Sequence, residues 1–388
     1  MFSDRRHFAV ALAGMSAFLN LYAPQALMPL LAGEFQVGAA DIGLIMTASS
    51  LAVALTAPFT GAVADVLGRK RLISTAVLLL IIPTVMISFS ESLHAIIFWR
   101  FMQGLLLPPI FAVTVAYIGD EWPAVEATGV TGLYVSASAV GGFLGRFLTG
   151  TVSDLIGWRG AFLTDAALTA ICAVAIVILL PREKRFVKAE SIRASLRQMV
   201  RHLGDPRLLA TFAVGFGVLF NFIATFTYVN FLLAAPPYNL SPSALGSIFV
   251  VYLLGMISAS LTGRAIARFG RRAFVIAAIV IWIGGILLTL IPALPVIILG
   301  LALAGASGMV CQASSTSYVS TTAKGGVSSA VGLYVTAFYT GGSVGAFLPG
   351  LYWTTTGWPG TVAMVTASLV AMGAVVLLFW TDGRKAKG

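Results

Sequence analysis

From Phe8 almost to the C-terminus the chain is a succession of long apolar stretches separated by short polar turns. A hydrocarbon core takes about 20 mostly apolar residues to cross. Inside it every backbone N–H and C=O must be bonded within the protein, so stretches of this length must be helices. The expected fold is an all-α polytopic membrane protein with twelve transmembrane helices. The spans are read at 8–31, 42–64, 72–90, 94–118, 127–152, 160–180, 208–234, 243–266, 273–291, 294–318, 327–352 and 359–380. Twelve spans use about 240 residues, which leaves no room in 388 for a separate soluble domain. Only 10% of residues are charged, against about 25% in soluble domains. That excludes an ordinary soluble enzyme and a disordered chain. Cys172 and Cys311 both lie in apolar runs, so a disulfide scaffold is excluded too. The basic N-terminus and the apolar run from Phe8 read as an uncleaved first span, because apolar character continues to Leu31.

The net charge of +10 is not spread evenly. With the N-terminus inside, 21 of the 24 Lys and Arg residues fall on one side. They are Arg5, Arg6, Arg69–Arg71, Arg264, Arg268, Arg271, Arg272, Lys324, Arg384, Lys385, Lys387 and eight cations between 182 and 207. Cations collect in cytoplasmic loops, so both termini are expected in the cytoplasm. No aromatic–basic pattern of a nucleic-acid module is present, and no nucleic-acid partner is expected. The stretch 191–200 has apolar residues at spacings of three and four. It reads either as a basic amphipathic helix on the inner membrane surface or as a solvated linker.

The two halves repeat each other. Residues 132–160 and 332–360 align without a gap at an offset of 200, and 14 of 29 positions are identical. Gly61–Lys70 likewise matches Gly263–Arg272. The expected organisation is a six-helix bundle over 1–181, a cytoplasmic linker over 182–207 and a second six-helix bundle over 208–388. Two such repeats of like topology are related by an axis along the membrane normal and place a substrate site near the midplane.

Particular residues then carry a family resemblance. Gly61-x-x-x-Asp65-x-x-Gly68-Arg69-Lys70-Arg71 resembles the loop 2–3 signature of the major facilitator superfamily, and Arg100-Phe101-Met102-Gln103-Gly104 resembles its fourth-span signature. Gly141 and Gly142 fall where antiporter members carry G-P-x-x-G-G, with Ala137 and Ser138 replacing the leading Gly and the Pro. Tyr22–Leu27 and Tyr134–Arg146 look most like bacterial drug/proton antiporters and arabinose-efflux-type permeases. The resemblance implies alternating-access transport in the bacterial inner membrane. It also implies that Gly61, Asp65, Gly68, Arg69, Lys70 and Arg71 form a gate latch on the cytoplasmic side. Read from the residues alone, Asp65 is a local salt bridge of little worth.

In-span charges are costly and mark pathways by default. Arg100, with Gln103 one turn on, is expected in coupling or substrate binding, or as an anchor for backbone carbonyls. Arg146 and Asp165 lie at similar depth on consecutive antiparallel spans and are expected to pair. Asp165 is then either half of a structural bridge or a proton carrier, and their repeat positions, Ala346 and Val365, are both uncharged. Asn20, Tyr22, Gln25, Tyr134, Asn221, Tyr228, Asn230, Gln312 and Tyr334 are cavity candidates, each otherwise a helix–helix hydrogen bond.

Gly341-Gly342-Ser343-Val344-Gly345 fits the G-x-S-x-G nucleophile pattern, but its first-half copy lacks the Ser, so the repeat preserves glycines for close packing. His7, His94 and His202 fall at loops or span ends and supply no base. With no metal cluster, phosphate loop or nucleotide motif, the expectation is a transporter and not an enzyme, without cofactor or metal, acting as a monomer. Its expected activity is proton-coupled efflux of small organic molecules. The alternative is uptake or exchange of an organic anion held by the in-membrane arginines.

Overall fold

The computed structural model describes residues 5–183, 192–323 and 326–381. The loop cations Lys184, Arg185, Lys188, Lys324, Arg384, Lys385 and Lys387 lie outside them.

Every element among the described residues is a helix, with no strand. The first passage is α1 (Arg5–Tyr22), a 3-10 turn (Ala23–Leu27) and α2 (Met28–Phe35). Pro24 in the turn has no N–H to give an α-helical ladder, which accounts for the break. There follow α3 (Ala39–Leu67), α4 (Arg69–Ser88), α5 (Leu93–Glu121) and α6 (Ala124–Leu179). After α7 (Ile192–His202) come α8 (Pro206–Ala234), α9 (Pro242–Ile248), α10 (Val251–Phe269), α11 (Arg271–Leu288), α12 (Leu294–Thr322) and α13 (Val327–Phe379).

Among the described residues, nine helical stretches are long and apolar enough to cross a membrane. Two of the nine turn back on themselves. α6 breaks at Gly157, with φ 81°, and α13 at Gly357, with φ 56°. These two glycines occupy equivalent positions in the repeat. Their φ values lie in the region that costs a side chain most and glycine least. Each long helix is therefore two passages, and α9 with α10 makes one more, which gives the expected twelve.

The chain divides into two compact units. One comprises 1–192 with 233–249, and the other 193–232 with 250–388. The stretch 233–249, which includes α9, is thus grouped with the first six passages.

The repeat is visible in how the helices approach. In the first unit α1 packs along α6. A Cβ on Gly141 would strike the backbone of Met15, and one on Gly145 the backbone of Leu19. In the second unit Gly341 and Gly345 stand in the same way against the backbones of Phe216 and Phe220. The glycines at spacing four therefore let two backbones touch, in both halves.

Candidate functional site

The first unit holds two buried polar clusters, and the cavity candidates of the first passage divide between them. The first is centred on Arg100, which has no solvent exposure. Its guanidinium makes five hydrogen bonds to oxygen and a long contact from Nη2 to Met46 Sδ (4.0 Å). Nε donates to Ile45 O (3.4 Å), Nη1 to Asn20 O (2.8 Å) and Gln103 Oε1 (2.7 Å), and Nη2 to Leu21 O (2.6 Å) and Ser49 Oγ (2.9 Å). The 3-10 turn after Tyr22 frees carbonyls at the end of α1, and the Arg takes them. Gln103 donates in turn to Thr84 Oγ1 (2.8 Å), and Thr84 to Asn20 Oδ1 (2.8 Å). Asn20 donates to Thr169 Oγ1 (2.7 Å). One network thus joins α1, α3, α4, α5 and the second passage of α6.

Asp165 lies one turn before Thr169. It is 3% exposed, and neither carboxylate oxygen has a hydrogen-bond partner. The expected pairing with Arg146 does not form. The cation whose charge reaches Asp165 is Arg100. The reason is depth as well as neighbourhood. Leu93 to Arg100 and Trp158 to Asp165 are the same seven-residue step into passages that run in the same direction. At 1.5 Å per residue both lie roughly 10 Å in. The shared absence of charge at Ala346 and Val365 therefore has no pair to explain.

The second cluster holds Arg146, 1% exposed. Nε donates to Gln25 Oε1 (2.7 Å) and Nη1 to Gly142 O (2.6 Å). The guanidinium also lies over the rings of Tyr22 (4.2 Å) and Phe249 (4.3 Å). A cation held between two aromatic faces is favoured by their quadrupoles, more so when desolvated. Tyr22, Gln25 and Arg146 are thus brought together as a set. Tyr134 stands apart, with its hydroxyl on Phe111 O (3.2 Å).

In the second unit, Tyr228 donates to Ala346 O (2.7 Å), Tyr334 bonds Ser315 Oγ (2.7 Å) and Asn230 donates to Phe226 O (3.0 Å). Gln312 is half-buried on α12. Asn221 is wholly buried on α8, and both ends of its amide lack a partner.

The loop 2–3 motif is tied within the first unit. Asp65 lies 3.8 Å from Arg69, and Arg69 Nε lies 2.5 Å from Asp120, close but not aligned as a hydrogen bond. Gly68, with φ 88°, turns the chain between α3 and α4, and Gly270, with φ 84°, does so at the repeat position between α10 and α11. Glu183 reaches back from beyond α6 and accepts from the N–H groups of Arg69 (3.0 Å) and Lys70 (3.2 Å). Its carboxylate satisfies two donors at the start of α4, where the helix dipole also favours negative charge.

Sequence reasoning missed Thr84, Thr169, Ser49, Phe249, Asp120 and Glu183. Thr169 was the most accessible of them, one turn from an in-span acid. The others carry no local signal, since a Ser or Thr in a span usually bonds its own helix.

A family model described as Major Facilitator Superfamily matches residues 10–235 and 214–388. An uncharacterised MFS-type transporter of Bacillus subtilis, YybF, is 30% identical over 381 residues, covering 98% of this chain and 93% of its own. The inner membrane transport protein YnfM of Escherichia coli is 29% identical, with 92% and 86% covered. The crystal structure of the nucleoside transporter NupG (a D323A mutant) superposes with a TM-score of 0.78 at 14% identity, covering 97% of this chain and 100% of that one. That last likeness is one of fold. The repeat, the twelve passages, the paired signature glycines and these matches agree: the chain is a multi-pass membrane transporter of the major facilitator superfamily.

Proposed function

We propose that the chain moves small organic molecules by alternating access and exports them in exchange for protons. The observation that carries the proton coupling is Asp165. It is a buried acid in a span, with both oxygens free of hydrogen bonds, near a guanidinium whose five bonds are all to other groups. Uptake of a proton would cancel a charge that no hydrogen bond holds, and release would restore it, which is the behaviour a coupling group needs. Arg100 acts as a positioning residue that fixes the network beside it. Arg146, Gln25 and Tyr22, brought together in the first unit, are the groups proposed to meet substrate.

The loop 2–3 motif is proposed as the cytoplasmic gate latch. The charge asymmetry supports both termini in the cytoplasm. The Escherichia coli relative is named as an inner membrane protein, which supports the same location here, and the chain is proposed to work as a monomer.

The test is flux in proteoliposomes with an imposed proton gradient, using ethidium, arabinose and benzoate as cation, sugar and carboxylate probes. Asp165→Asn should abolish gradient-driven flux and retain probe binding. Gradient-driven flux that survives in Asp165→Asn would sink the carrier role. The excess of buried in-span cations, Arg100 and Arg146 against Asp165, favours a second reading, exchange of an organic anion. Benzoate exchange without a gradient, lost in Arg146→Gln, would select it.

A further inference from the structure

A cavity of about 740 Å³ opens in the first unit where α4 begins and α6 ends. Its size falls within the roughly 300–1,000 Å³ of small-molecule sites. Three cations line it: Lys70, Arg71 and Arg182. Among the described residues none of their side chains is engaged in an ion pair or hydrogen bond. Neighbouring Arg69, by contrast, is committed to Asp65 and Asp120. Ser74 and Thr75 add hydroxyls, and the buried Ser74 Oγ has no partner. The acid in the cavity is Glu183, and both its oxygens accept backbone N–H groups. Three cations against one acid leave a net charge of +2.

The rest of the lining is apolar. Leu67 and Leu78 are 48% and 44% exposed, and Val177 joins them. A hydrated inorganic anion gains nothing from such residues. A phosphate ester carrying acyl chains gains from both kinds of lining, its phosphate among the cations and its chains along the leucines. Basic pockets between transmembrane helices at the membrane surface hold anionic headgroups for this reason.

We propose that this cavity is a binding site for an anionic phospholipid, with the headgroup phosphate held by Lys70, Arg71, Arg182 and the Ser74 hydroxyl. The site lies outside both buried polar clusters and does not depend on the direction or coupling of transport. It places a lipid against the two residues that follow the signature Arg69, so membrane composition would act on the loop 2–3 motif directly.

The test is a titration of delipidated full-length protein in detergent, followed by native mass spectrometry, with phosphatidylglycerol, phosphatidylcholine or inorganic phosphate added. Phosphatidylglycerol should bind at least tenfold tighter than phosphatidylcholine, and millimolar phosphate should fail to displace it. Arg182→Gln should weaken phosphatidylglycerol binding about fivefold, the effect of one cation near a membrane surface, and Arg182→Lys should restore it. Glu183→Gln should strengthen binding, because it removes the acid from the cavity. Arg264→Gln, an exposed cation of the second unit, should change nothing. Equal binding of both lipids, equal loss in Arg264→Gln, unchanged or tighter binding in Arg182→Gln, or weaker binding in Glu183→Gln would overturn the site. Displacement by phosphate alone would mean a free-anion site and overturn the lipid.

Discussion

Arg100 shows how a charge is kept inside a membrane protein. Its guanidinium donates to five oxygen acceptors on three helices. A Lys offers three donors and no planar fork, so Arg100→Lys leaves at least two acceptors bare, at about 1–3 kcal/mol each when buried. The expected result is a lower unfolding temperature in detergent together with lost flux. Wild-type thermal stability and flux in that variant would show that the network tolerates a point charge. Asp165 is the complementary case, a buried acid whose own oxygens have no hydrogen bond. Asp165→Asn therefore removes no side-chain bond seen in the fold. It should leave the unfolding temperature close to wild type while gradient-driven flux is lost, and a thermal scan beside the flux assay checks the pair of outcomes.

Helices meet in this fold through glycine. Gly141 and Gly145 on α6 lie against the backbone of α1, so Gly141→Ala forces a methyl into Met15. Overpacking of that kind costs about 1–3 kcal/mol. At Gly129 and Gly132, on the same helix, a Cβ meets nothing within 4 Å. Alanine there should be neutral or stabilise by about 0.4–1 kcal/mol through the unfolded chain. Comparing the unfolding temperatures of the three variants checks the contrast, and equal destabilisation at all three positions would refute it. The α3–α4 turn offers a second test at this scale. Asp65 is 28% exposed and 3.8 Å from Arg69, so the pair contributes about 1 kcal/mol at most. Asp65→Ala should leave expression and thermal stability near wild type while lowering flux several-fold. A loss of flux matched by a loss of folded protein would speak against the gate.

For the molecule as a whole, the charge asymmetry makes a topological prediction. Twelve passages return the chain to the side where it began, and by the loop cations that side is expected to be the cytoplasm. A green fluorescent protein fused to the C-terminus should fluoresce in bacteria, and an alkaline phosphatase fused there should be inactive. The opposite result would invert the orientation. The repeat belongs to this scale too. Paired left-handed glycines at 157 and 357, and at 68 and 270, mark the same turns in both halves. These in-span charges do not repeat: Arg146 and Asp165 correspond to Ala346 and Val365.

Much of this fold was legible in the chain alone. Long apolar stretches leave the backbone no option but helix, and identity at a constant offset reports duplicated architecture. Glycines at spacing four announce close packing wherever they occur. These are local properties, written in consecutive residues. Which polar groups meet was not legible. Spans five and six are consecutive and antiparallel, yet Asp165 answers to Arg100 on α5, and Arg146 turns to Gln25, Tyr22 and Phe249. In a soluble helix the apolar stripe tells which face is inward. In a membrane helix the lipid-facing and protein-facing sides are both apolar, so the sequence determines that a span exists and how deep its charges lie. Only the packing of the helices decides which way those charges face.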